Sequence, residues 1–163
     1  MQFILYPLLL GVIIILQSTV LENVAIAGIK PDLVMLVVVF GSFFRGTRTG
    51  AFLGFTGGIV EDLFSGNYIG LNALAKMAAG YLAGAAGGRL YRENIPIATV
   101  VTFFTSLAGL MANYLLLLYL NITIDPLHAL FSVALPVAAY TALLVPFVFR
   151  SIFRYIQVLS REL

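Results

Sequence analysis

The sequence contains no cysteine, no tryptophan and a single histidine, His128. The missing cysteines exclude a disulfide scaffold, a thiol nucleophile and an iron–sulfur site. One histidine excludes a multi-histidine metal centre. Charge is scarce as well. Only 10% of the 163 residues are Asp, Glu, Lys or Arg, against 61% hydrophobic. A soluble domain carries about 25% charged residues, so this chain could not cover a water-facing surface. Its mean hydropathy of +1.06 also excludes disorder. An integral membrane domain remains.

Long apolar runs set the organisation. A spanning helix needs roughly 20 mostly apolar residues. Six segments read this way, at about 3–21, 31–44, 49–63, 70–90, 97–120 and 127–149. The expected architecture is an all-α bundle of six transmembrane helices forming one domain over residues 1–163. The second and third segments are short for a span, so they either extend into the Arg45–Arg48 turn or form a hairpin that does not fully cross. Ala25-Ile26-Ala27 imitates a cleavage site. However, no basic residue precedes the first run, which is too long for a signal-peptide core. A retained helix is expected.

Charge placement orients the segments. Arg45, Arg48, Arg89, Arg92, Arg150, Arg154 and Arg161 fall on one side of the six-segment alternation. Lys30 faces the other side with Glu22, Glu61, Asp62 and Asp125. Basic loops stay cytoplasmic, which puts both termini in the cytoplasm. The tail, 150–163, reads as a basic amphipathic helix with Arg150, Arg154 and Arg161 on one face. It suits an anionic lipid surface. Nothing in this pattern points to nucleic acid.

Small and polar residues form stripes inside the segments. Gly46, Gly50, Gly54 and Gly58 recur every four residues, as do Gly80, Gly84 and Gly88. Such spacing lines one helix face, and glycine faces let backbones approach closely in lipid. The stripes serve either internal packing or a partner's helix. Asn72 and Lys76 share a face that continues into Gly80. A lysine inside a membrane is costly. It pairs with Glu61 or Asp62, snorkels outward, or belongs to a substrate or proton site. Pro31-Asp32 reads as a helix start. Asp62 is more suspicious, because a carboxylate at a helix C-terminus is unfavourable unless paired or part of the turn through Gly66. Thr102, Ser106, Gly109 and Asn113 suggest hydrogen bonds between helices. No catalytic triad, phosphate loop or cofactor site is evident, and no enzyme activity is expected.

Three stretches together resemble a known family. These are Lys30-Pro31-Asp32-Leu33-Val34, then Gly50 through Gly66 with Gly-Gly-Ile-Val-Glu-Asp-Leu-Phe-Ser-Gly at its end, then Gly70-Leu71-Asn72-Ala73-Leu74. With Leu16-Gln17-Ser18-Thr19 ahead of them, they resemble the MreD rod shape-determining proteins. The chain lacks an asparagine that this pattern would place near Tyr140-Thr141. The resemblance implies a non-enzymatic component of the elongasome in the bacterial inner membrane. It implies binding to MreC and a link between MreB filaments, RodA and the elongation transpeptidase in peptidoglycan synthesis. It marks Pro31, Asp32, Gly50, Gly54, Gly58, Asp62, Gly66, Asn72 and Lys76 as partner-binding or structural. It also implies a fold similar to the S components of energy-coupling-factor transporters. The rival function follows from that likeness: a membrane subunit binding a vitamin-type solute, recruiting Asp62, Asn72, Lys76 and Asn113.

Overall fold

The computed structural model describes residues 12–15, 17, 19, 25, 28–66, 68–90 and 94–161, with side chains described as far as Phe149. Among them the chain is helical, with no strand. The helices are α1 (Leu33–Arg45), α2 (Thr47–Ser65), α3 (Leu71–Gly87) and α4 (Ile95–Tyr119), then the short α5 (Pro126–His128). A π-helical turn, Ala129–Ala134, joins α5 to α6 (Leu135–Arg161). Helices α1 to α4 match the second to fifth expected segments to within a few residues, and the sixth, 127–149, lies within the run from α5 through α6. Most of the first segment lies outside the described residues, although 12–15, 17 and 19 are helical.

Among the described residues two stretches are long and apolar enough to cross a membrane, Ile95–Tyr119 and Pro126–Phe149. The shorter α1 follows a different logic. At 1.5 Å per residue its 13 residues reach only about 20 Å, well below the roughly 30 Å of a bilayer core. Eight of those residues are buried, from Val34 to Phe43. A helix apolar all round is a buried helix, and α1 packs against α2, α3, α4 and α6. Its surroundings are protein, so its length need not match the bilayer.

Both ends of α1 are closed inside the bundle. Asp32 is the N-cap, its Oδ1 accepting from Met35 N at 2.7 Å. The freed amides of Asp32 and Leu33 donate to Thr141 Oγ1 (3.0 Å) and Gln17 Oε1 (3.1 Å). At the other end Gly46 takes φ +92°, a conformation open to glycine, and turns directly into α2.

The bundle has two chemically distinct ends. Phe40 and Phe44 stack near Phe149, at 5.8 and 6.3 Å between centroids, and Ile95 packs beside them. Gly84 meets Gly46, and Gly87 meets Phe43. The end of α1 and the starts of α2 and α4 therefore gather with the end of α3 and with residue 149 of α6. That end carries Arg45, Arg48 and Arg89. The opposite end gathers Asp32, Glu61, Asp62 and Asn72 with Asn113.

The basic tail, read as an amphipathic extension, continues α6 as helix to Arg161. The side chains of Arg150, Arg154 and Arg161 lie outside the described residues. The final helix also opens with a π turn, in which Leu135 N donates to Leu130 O, five residues back. Such widened turns interrupt an α-helix locally, and hydropathy carries no sign of them.

Candidate functional site

The acid-rich end holds a buried ion cluster. Lys76 projects from the second turn of α3 and is 2% exposed. Its Nζ lies 2.5 Å from Asp32 Oδ2 and 2.6 Å from Glu61 Oε2. The contact to Asp32 is a hydrogen bond. The one to Glu61 is a close ion pair. One ammonium thus ties α1, α2 and α3 together. The sequence reading proposed Glu61 or Asp62 as its partner, and the structure takes Glu61. Asp32, read from its residues as a helix start, does both jobs, with Oδ1 on the backbone and Oδ2 on the lysine.

Asp62 is buried, 1% exposed, and does not touch Lys76. It caps α3 from the neighbouring helix. Oδ2 accepts from Gly70 N (2.8 Å) and Ala73 N (3.2 Å). Oδ1 accepts from Asn72 N (3.2 Å) and Asn72 Nδ2 (2.9 Å). Four bonds fill a carboxylate's acceptor sites. The positive end of α3 offsets the unfavourable place of Asp62 at the C-terminus of α2. Gly66 makes the turn between them possible, taking φ +67° and donating to Asp62 O at 3.2 Å.

A glycine seam fixes α2 on α3. A Cβ added at Gly50, Gly54 or Gly58 would come within 3.0 Å of Gly80 O, the Lys76 carbonyl or the Ala73 backbone. Gly80 and Gly84 reciprocate against Gly50 and Gly46. The groove is filled from within the chain, which is the internal-packing alternative. The stripe on α3 ends at Gly87, set on Phe43, whereas a Cβ at Gly88 would find ordinary room. Pro31 is buried just ahead of α1.

On α4, Asn113 alone of the expected polar stripe reaches another helix by a hydrogen bond, Nδ2 donating to Asn72 Oδ1 at 2.9 Å. Thr102 and Thr105 bond back to their own helix. Ser106 Oγ is buried without a hydrogen bond. Gly109 receives the Met35 side chain. A cleft of about 390 Å³ opens at this end, lined by Asp62, Tyr68, Leu71, Asn72, Asn113, Leu117 and Ile122.

Thr141 escaped the sequence reading. It is fully buried, accepts from Asp32 N and donates to Val137 O. Its only sequence signal was a hydroxyl in an otherwise apolar helix. It stands where the family resemblance would have placed an asparagine nearby.

A family model described as rod shape-determining protein MreD matches residues 1–158. The chain belongs to the MreD family. No curated protein and no solved structure matches it. Membership makes it a membrane protein of a cell-shape-determining family, not of a known enzyme family. The three stretches that carried the resemblance hold the MreD-family chain together here. They supply the two acids of the ion cluster, the α3 cap and the α2 side of the glycine seam.

Proposed function

We propose that the chain is a non-enzymatic scaffold of the elongasome in the bacterial inner membrane. It spans the bilayer six times with both termini cytoplasmic, its Arg45–Arg48–Arg89 end facing inward and its Asp32–Asp62 end outward. It binds MreC there, and through MreC and direct contacts couples MreB filaments to RodA and the elongation transpeptidase in lateral peptidoglycan synthesis. The family match over residues 1–158 carries this reading. The sorting of charge to the two ends of the bundle supports the orientation, since arginine-rich loops stay inside. The continuation of α6 through Arg161 would bring its arginines toward anionic headgroups.

The structure of the seam supports a structural role for Pro31, Asp32, Gly50, Gly54, Gly58, Asp62, Gly66, Asn72 and Lys76. A partner's helix would then meet outward faces instead, such as Phe52 and Phe55 on α2 or Phe104 and Leu115 on α4, all exposed. The test is co-expression with tagged MreC, mild detergent extraction and photo-crosslinking from Phe52, Phe104 and Phe147. Co-purification with crosslinks from one helix face is expected. Wild-type chain that never co-purifies with MreC would overturn the reading.

A further inference from the structure

We propose that the cleft at the acid-rich end is a binding site for a small molecule with a compact apolar body and an N–H or O–H donor, uncharged or cationic. The argument begins at Asp62. A carboxylate can only accept, so the Asn72 amide must turn Nδ2 toward it, as it does at 2.9 Å. That leaves Asn72 Oδ1 facing α4. Asn113 is then obliged to present Nδ2 to it, again at 2.9 Å. Each amide is locked in one orientation by the one before. The last acceptor of the relay, Asn113 Oδ1, takes no hydrogen bond from the described residues and is not sealed from solvent.

This free acceptor belongs to a residue lining the cleft. Leu71, Leu117 and Ile122 provide apolar wall, and Tyr68 an aromatic ring with a hydroxyl. At about 390 Å³ the space falls at the small end of ligand pockets. Among the described residues no lysine or arginine lines it, and a carboxylate stands behind the amides. An anion would meet an acceptor and a like charge there. A donor would complete the relay, and a cationic donor would gain from Asp62 as well. The site is lined by this chain's own residues and does not rest on the scaffold role.

The native chain has no cysteine, so a single introduced thiol can report occupancy. Ile122→Cys places it in the cleft, and Tyr119→Cys, at a site 85% exposed, serves as the control. Purified protein is labelled with N-ethylmaleimide in the presence of benzylamine, benzamide or benzoate. Benzylamine and benzamide should slow labelling at Ile122→Cys about threefold once each stands at twice its Kd. Labelling at Tyr119→Cys should not change. Adding Asn113→Leu, or Leu71→Trp to fill the cleft while leaving the relay intact, should abolish protection. The proposal is overturned if neither donor probe protects the thiol, if benzoate protects equally, or if protection survives Asn113→Leu and Leu71→Trp.

Discussion

The α2–α3 pair and the α4–α6 pair solve the same problem by opposite means. α4 and the stretch 126–149 are long, strongly apolar and mostly open at their surface, with about a third or less of their length buried. Their exposed residues, Phe104, Leu115, Leu143 and Phe147, are large and greasy. α2 and α3 are richer in glycine and alanine, and they form the most extensive helix pairing in the bundle. Lipid is as apolar as leucine, so greasy side chains gain nothing by leaving it. What gains is backbone-on-backbone approach, and ionic or polar groups that find each other. The less hydrophobic hairpin is therefore the structural centre, and the more hydrophobic helices wrap it.

The sharpest way to break that contrast is to enlarge the seam. Gly54→Leu drives a side chain into the Lys76 carbonyl. Extra methylenes in a tight core cost about 1–3 kcal/mol when neighbours can shift; here a whole side chain meets backbone, which cannot rotate away, so the cost exceeds that range and the pairing itself is lost. Loss of monodisperse protein on size exclusion in detergent is expected. Phe104→Ala, at a residue 62% exposed, should elute as wild type. If both behave alike, the contrast between the pairs fails.

The ion cluster ranks next. Lys76→Met leaves Asp32 and Glu61 facing each other without a cation. Removing one partner of a buried pair costs about 3–5 kcal/mol, readable as a large fall in the thermal midpoint. Adding Glu61→Gln to Lys76→Met should recover part of that loss by removing an orphaned charge. Asp32→Ala should cost more than Glu61→Ala, because alanine also removes the cap that Asp32 places on α1, whereas Glu61 contributes the ionic contact. The reverse order would show that the cap adds little.

Asp62→Asn should come third. It keeps the shape but turns a donor toward amides that need an acceptor. N-cap losses run about 0.5–2 kcal/mol. Hydrogen exchange at Gly70, Asn72 and Ala73 should rise while amides of α4 stay protected.

The contrast also explains what was legible in the sequence. Period-four glycines, an intramembrane lysine and a proline–aspartate start are local signals, and each landed in the seam, the cluster or a cap. The limits of α1 to α4 followed hydropathy to within a few residues. Which acid met Lys76 was not legible. Glu61 and Asp62 are adjacent, and a helix turns about 100° between them, so their roles depend on how α2 is rotated against α3. Asp32 was hidden for another reason: its cap role is local, but its ionic role needs α1 to lie beside α3. Thr102, Ser106 and Asn113 looked equivalent on one stripe. Only the last lies where α4 passes an unsatisfied amide.

Thr141 gives the smallest effect and the finest test of the division. It sits on a lipid-facing helix, yet its hydroxyl accepts from Asp32 N at the ion cluster. Thr141→Val keeps the shape and removes the acceptor, and the part-buried N–H loses its bond at about 0.5–1.5 kcal/mol. Thr141→Ser keeps the acceptor and should lie near wild type. If the wrapping helices contribute only apolar contact, Val and Ser variants will melt together. A lower midpoint for valine alone would show that the outer helices also anchor the centre, through a single hydrogen bond aimed at the residue holding Lys76.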